Sequence, residues 1–188
     1  MVLPVKQMSL AKQRLATVLG AGARADLARW LAERTFDVVH RSGARRIAVV
    51  TSDPMARALA ETRRWPIVPD PGIDHSAAMV AAASWVGLRG GATIATVATD
   101  LPLLEPDDVN ALLSEAGRET LVIAPNASGR GTNAVVVSPP TFPFAFGPNS
   151  FDRHTRSARE LGLQVKVLHR RGLAWDLDRP EELALLDA

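Results

Sequence analysis

Three aspartates and two lysines are the residues of this sequence whose types and spacing could do chemistry together. Asp176 and Asp178 alternate in the run Trp175-Asp176-Leu177-Asp178 just before Pro180. In an extended segment, period-two spacing puts both carboxylates on one face. Asp100 follows the unbroken small and apolar run Ile94 to Ala98, and Pro102 then ends the ladder because it has no N–H to give. Two acids on one side, facing a third at the end of a strand, make a hard-oxygen site of the Mg²⁺ type. Asp100 taken alone also reads as a solvated turn residue before a proline. Asp178 alone would serve as a helix cap, which leaves Asp176 unexplained.

The cations complement those acids. Lysine occurs only at Lys6, Lys12 and Lys166, and the first two flank a loop just past an apolar run at the start of the chain. Two cations there suit a phosphate site, although solvated lysines at the start of a helix would give the same sequence. Gly131 permits close backbone approach, with Thr132 and Asn133 as donors at its rim. Gly147 to Ser150 reads as a tight turn into a helix of about a dozen residues, with Ser150 as its N-cap. A glycine turn, a serine and a helix N-terminus can hold an anion, or the serine can simply cap. Asp74-His75-Ser76 precedes an alanine-rich helix whose free N–H groups could meet a nucleotide. Asp74 or Ser76 fits the N-cap of that helix, and His75 is a base- or ribose-contacting side chain or merely exposed.

These residues need a frame, and the sequence supplies one. Apolar runs at Met1–Val5, Arg46–Ser52, Trp65–Pro69, Ile94–Ala98, Thr120–Ala124, from Thr132, and at Gln164–Leu168 read as strands. Helices are expected at Arg24–Ser42, Met55–Thr62 behind an Asp53-Pro54 cap, up to Val86, from Glu105 to Ala116, after Ser150, and from Pro180. The acids Glu105, Asp107 and Asp108 suit a helix dipole and read as structural. Prolines mark Trp65–Pro69 as near an edge. Alternation of strand and helix over 188 residues predicts a single α/β domain spanning 1–188, three layers α/β/α around a mostly parallel sheet.

Composition removes other classes. There is no cysteine, hence no disulfide framework or thiolate metal site. No apolar run reaches the ~20 residues of a membrane span, and no signal peptide is read, so the expectation is a cytoplasmic protein without a membrane partner. Arginines are spread along the chain without a basic tract, and a nucleic-acid partner is not expected. Dinucleotide and P-loop glycine fingerprints and the G-x-S-x-G elbow are absent. The oligomeric state is left open, with a homodimer as the assembly considered.

The segments PVKQMSLAKQRL, VATDLPLL, GRGTNAVV, FGPNSFDRH and WDLDRPEEL come in an order and spacing that resembles the 2-phospho-L-lactate or phosphoenolpyruvate guanylyltransferases of coenzyme F-420 biosynthesis. The resemblance covers almost the whole chain. It implies the MobA-like, glycosyltransferase-A-like nucleotidyltransferase fold, and transfer of GMP from GTP to a phosphorylated three-carbon acid with release of pyrophosphate. It further implies Asp100, Asp176 and Asp178 as ligands of Mg²⁺, and Lys6, Thr132, Gly147 and Ser150 as holders of the acid. Lys12 and Arg14 would face the nucleotide phosphates, with Lys6, Lys12 and Asp100 at the reacting centre. Asp74 and His75 fall where the family has Leu-Asn beside the nucleoside, a departure that bears on guanine specificity. Other nucleotidyltransferases of the molybdenum-cofactor type, sugar-nucleotide glycosyltransferases and a catalytically silent nucleotide-binding module are the alternatives.

Overall fold

The computed structural model describes residues 1–187, and its seven strands form one sheet in the order β3-β2-β1-β4-β6-β5-β7. In chain order the elements are β1 (Val2–Val5), α1 (Ala21–Arg41), β2 (Ala48–Thr51), α2 (Pro54–Thr62), β3 (Ile67–Pro69) and α3 (His75–Gly87). They continue with β4 (Ile94–Val97), α4 (Pro106–Ser114), β5 (Thr120–Pro125), β6 (Thr132–Ser138), α5 (Ser150–Glu160), β7 (Gln164–Val167) and the short α6 (Arg171–Ala174). Pro180 opens a 3₁₀ helix to Asp187, not the α-helix expected there.

Every strand pairs in parallel except β6, which runs antiparallel to both β4 and β5. The reason is loop length: the short connection 126–131 cannot carry a crossover and returns the chain beside β5 as a hairpin. This reversal has a consequence for the site. The start of β6 lies against the end of β4, with Val97 paired to Ala134 and the Ala98 N–H donating to the Asn133 carbonyl at 2.7 Å. Asp100 and Thr132 are therefore brought to the same edge of the sheet from opposite chain directions. The expected edge strand is confirmed as β3, and Ile94–Ala98 falls at the middle of the sheet.

Two apolar layers close the domain. On one face Leu3, Phe36, Val49, Leu104 and Leu112 pack under α1 and α4. On the other Val50, Met79, Ile123, Val135 and Phe142 pack under α3 and α5. A smaller cluster of Leu15, Leu31 and Leu177 joins the loop after β1, helix α1 and the segment after α6. Burial of side chains of this size contributes roughly 1.5–3 kcal/mol each relative to exposure, so this third cluster fixes two otherwise irregular segments.

Asp53 ties the first loop down as well. Its carboxylate caps α2 through the Met55 and Ala56 N–H groups, as the Asp-Pro pair predicts, and also accepts the Met8 N–H at 2.9 Å. Asp108 is structural too, accepting the Glu105 N–H and pairing with Arg170 at 2.6 Å. Among the described residues no helix is long and apolar enough to cross a membrane.

Candidate active site

A cleft of about 740 Å³ opens at the edge where β1 and β4 end and β6 begins. Lys6, Lys12, Arg14, His75, Asp100, Thr132, Gly147, Ser150, Asp176 and Asp178 all line it. Of the residues expected to form a site, only Asp74 lies outside the lining. It caps α3 through the Ala77 N–H at 2.7 Å, which is the structural alternative its sequence allowed.

The acids are assembled by backbone and core contacts. The Leu177 N–H donates to the Asp100 carbonyl at 3.0 Å, and the Leu177 side chain is fully buried against Leu15 and Leu31. Asp176 and Asp178, on either side of it, are half-buried at the cleft. The alternation read from the sequence thus sorts leucine inward and both carboxylates toward the cavity. Asn133 completes the arrangement from β6. Its amide donates to the carbonyls of Leu173 and Ala174 at 3.0 and 3.2 Å, and lies 3.4 Å from an Asp176 oxygen. Asn133 is buried beneath the acids, not a donor at the rim.

Lys12 sits among these carboxylates. Its Nζ is 2.7 Å from Asp100 and 2.9 Å from Asp178, and Arg14 approaches Asp178 at 3.5 Å. The residue adopts a left-handed backbone with φ 55°, which lets the loop turn the side chain back into the site. Burial works against its charge, but Asp100 and Asp178 outweigh that and hold its pKa above the ordinary lysine value. Asp176 moves the other way for a carboxyl: burial, then the neighbouring Asp100 charge, raises its pKa. Among the described residues no three acidic or imidazole side chains are grouped closely enough to grip an ion as they stand. In chemistry, however, the donor set fits a hard divalent cation, being all carboxylate oxygen and carrying excess negative charge at Asp176.

The opposite wall is built from β6 and the turn into α5. Gly147 takes φ 103° and Asn149 φ 54°, conformations for which glycine is suited and asparagine tolerated. Arg153 braces this turn by donating to the Phe146 carbonyl at 2.7 Å. Asn149, not Ser150, occupies the N-cap. With Asn149 left-handed and the Ser150 N–H turned back to the Gly147 carbonyl at 3.1 Å, Ser150 becomes the first helical residue. It is buried, and its Oγ contacts the Thr132 Oγ1 at 3.2 Å. Thr132 also meets His154 Nδ1 at 3.1 Å.

Lys6 is already engaged. Its Nζ reaches both Asp70 oxygens, at 2.7 and 3.1 Å, and the Asp74 carbonyl at 2.9 Å, so its three N–H donors are all used in tying β1 to the start of α3. His75 is half-buried, edge-on to Phe146 with ring centroids 4.2 Å apart. Burial, then the Lys6 charge, lowers its pKa to about 4, and the ring is neutral at physiological pH. Sequence reasoning passed over Arg130 and Phe146, and carried His154 only as the end of the segment FGPNSFDRH. Arg130 lines the cleft directly before Gly131-Thr132, and His154 lies four residues beyond Ser150 on the same helix face, which was the available signal for it.

Comparison with known proteins shows the family and the fold. The family described as guanylyl transferase CofC like matches residues 1–186. The chain is 38% identical to a phosphoenolpyruvate guanylyltransferase of Rubrobacter xylanophilus, over all of this chain and 92% of that protein. It is 36% identical to one of Chloroflexus aggregans, over 96% of this chain and 93% of the other. A crystal structure of a Desulfovibrio desulfuricans protein, provisionally assigned as a nucleotide-diphospho-sugar transferase, superposes with a TM-score of 0.78 at 19% identity. That superposition covers 98% of this chain and 84% of the other and supports the fold. With the match running through every segment that lines the cleft, the chain belongs to the CofC-like family of guanylyl transferases.

Proposed function

We propose that this protein transfers GMP from GTP to phosphoenolpyruvate with release of pyrophosphate, in the biosynthesis of coenzyme F-420. It would act in the cytoplasm on small soluble substrates, with neither nucleic acid nor membrane as partner. The observation that carries the reading is the opposition across one cleft of Lys12, Asp100, Asp176 and Asp178 to the Thr132–Ser150 wall. The first group suits the phosphates of a nucleotide, and the second suits an anionic acceptor. The curated relatives bearing this name, at 36–38% identity over nearly the full length, supply the substrate class. 2-Phospho-L-lactate and 3-phosphoglycerate offer the same phosphate and carboxylate and are the other acceptors to test.

In the proposed reaction a phosphate oxygen of the acceptor attacks the α-phosphorus of GTP. The bond from that phosphorus to the bridging oxygen of the β-phosphate breaks, pyrophosphate leaves with the electron pair, and a new phosphoanhydride joins GMP to the acid. The nucleophile is already ionised at neutral pH, so no general base is required. Catalysis then rests on positioning and charge. Asp100, Asp176 and Asp178 would hold Mg²⁺, whose chemistry there is the neutralisation of phosphate charge. The Lys12 ammonium, with Arg14 at the rim, turns toward incoming phosphates and offsets the charge that builds on the leaving group. Thr132, Gly147 and Ser150 hold the acid at the other wall, and Lys6 would join them only by exchanging its contacts with Asp70 and the Asp74 carbonyl.

His75 favours one second reading. A neutral imidazole, packed edge-on against Phe146, stands where the family has asparagine, and a nucleotide other than GTP is the corresponding alternative. Mass spectrometry of the product from GTP and phosphoenolpyruvate tests the main reading. A species carrying GMP joined to the intact acid is expected. Hydrolysis of GTP without such a conjugate would overturn it.

A further inference from the structure

His154 is a fully buried polar residue beside the site, and the mechanism gives it no task. It sits on α5 among Phe142, Phe144 and Phe146, whose ring centroids lie 5.9, 6.3 and 4.8 Å away. Both ring nitrogens are nonetheless engaged. Nε2 accepts the Ala145 N–H at 2.8 Å. A backbone amide can only donate, so Nε2 carries no proton. Burial, then the Arg153 charge, lowers the imidazole pKa to about 4, and a neutral ring holds its single proton on the other nitrogen. Nδ1–H therefore donates to the Thr132 Oγ1 at 3.1 Å.

That direction fixes the polarity of two hydroxyls. Thr132 and Ser150 are joined by one hydrogen bond of 3.2 Å, with Ser150 as donor to Thr132. Two hydroxyls bring two protons, and one bond between them uses one. The remaining proton cannot go back to His154, because the facing nitrogen is itself a donor. Were the ring the other tautomer, Thr132 would spend its proton on the imidazole, and the wall would turn lone pairs toward any anion in the cleft.

We propose that His154 is a positioning residue that makes the Thr132–Ser150 pair a hydrogen-bond donor to an oxygen of the acidic substrate. The proposal rests on the reading of this wall as the acid's subsite, and deepens it. His154 does not touch the substrate. It acts through Thr132, and the Ala145 N–H acts through His154.

Two substitutions separate the donor from the bulk of the ring. In His154→Asn the side-chain amide nitrogen falls near the Nδ1 position and keeps a donor to Thr132. In His154→Gln the longer side chain reaches the Nε2 position and leaves Thr132 without that donor. Steady-state kinetics with GTP and phosphoenolpyruvate should give His154→Gln a KM for the acid raised about tenfold or more, as expected for a lost hydrogen bond to a charged group. The KM for GTP should stay within about twofold, and His154→Asn should remain close to wild type in both. Thr132→Val should raise the acid KM similarly, and His154→Gln should add little to it, because both remove the same contact.

Imidazole ¹⁵N shifts of the substrate-free wild type provide a reading that needs no turnover. A protonated Nδ1 and a bare Nε2 are expected for His154. The reverse tautomer, or an unchanged acid KM in a folded His154→Gln variant, would overturn the proposal. If wild type turns over none of the acids, the functional reading falls, and the imidazole shifts alone then decide the polarity of the wall.

Discussion

The Leu177 N–H donates to the Asp100 carbonyl at 3.0 Å, and this one backbone bond couples the two segments that carry the site's acids. It holds the irregular chain after α6 against the end of β4. The buried Leu177 side chain then sets which way the flanking carboxylates face. Carboxylate geometry here is therefore maintained by an apolar side chain.

Leu177→Ala should for that reason do two things. Removing a buried leucine costs about 2–5 kcal/mol, measurable by urea denaturation. Turnover should fall by more than the loss of folded protein explains, since Asp176 and Asp178 are no longer held. Full specific activity in the folded fraction would contradict the coupling.

Lys12→Met removes the cation between Asp100 and Asp178. Turnover should fall by roughly a hundredfold or more, the range seen when a charge-stabilising donor is lost. A variant folded by circular dichroism that keeps most of its rate would remove Lys12 from the reacting centre.

Asp176→Asn should separate stability from activity. The carboxyl is half-buried near Asp100 and Asp178, and its pKa is raised above the ordinary 3.8. A raised carboxyl pKa means that folding favours the protonated form, so stability is lost as pH climbs from 3.8 through the raised value. In chelator-treated protein at neutral pH, the amide should therefore raise Tm while abolishing turnover. A lower Tm would show that the charge is compensated in the free enzyme.

How much of this was legible in the sequence differs from residue to residue. The Asp-Leu-Asp alternation was readable because period two is a local property, and a leucine between two acids can sort to only one side. Asp53 and Asp74 were readable as caps for the same reason. Ser150 was not, because the cap depends on the left-handed Asn149, and asparagine enters that conformation only where the surrounding turn demands it. The contacts of Asn133 and His154 were illegible in a stricter sense. Their partners lie 40 and 22 residues away, at Leu173 and Thr132, and only the antiparallel return of β6 brings them together. Lys6 was recognised as a cation near phosphate, but its pairing with Asp70 needed the β3–α3 turn in place.

The two imidazoles predict a pH dependence of stability. His75 and His154 both have folded pKa values of about 4 against the ordinary 6.5. Between those values the unfolded chain binds protons that the folded chain refuses, so stability is full above 6.5 and falls as pH drops toward 4. Tm should decline over that window, and less steeply in His154→Asn, which removes one of the two groups. Equal slopes in variant and wild type would show that His154 titrates normally.

The central claim is tested most directly by pyrophosphate release. Purified protein with Mg²⁺ would be given each of GTP, ATP, CTP and UTP, with and without phosphoenolpyruvate, 2-phospho-L-lactate or 3-phosphoglycerate. Release is expected with GTP and phosphoenolpyruvate together, lost on chelation, restored by Mg²⁺, and absent from Asp100→Ala. Release with another nucleotide in place of GTP, or none in any well from folded protein, would contradict the account.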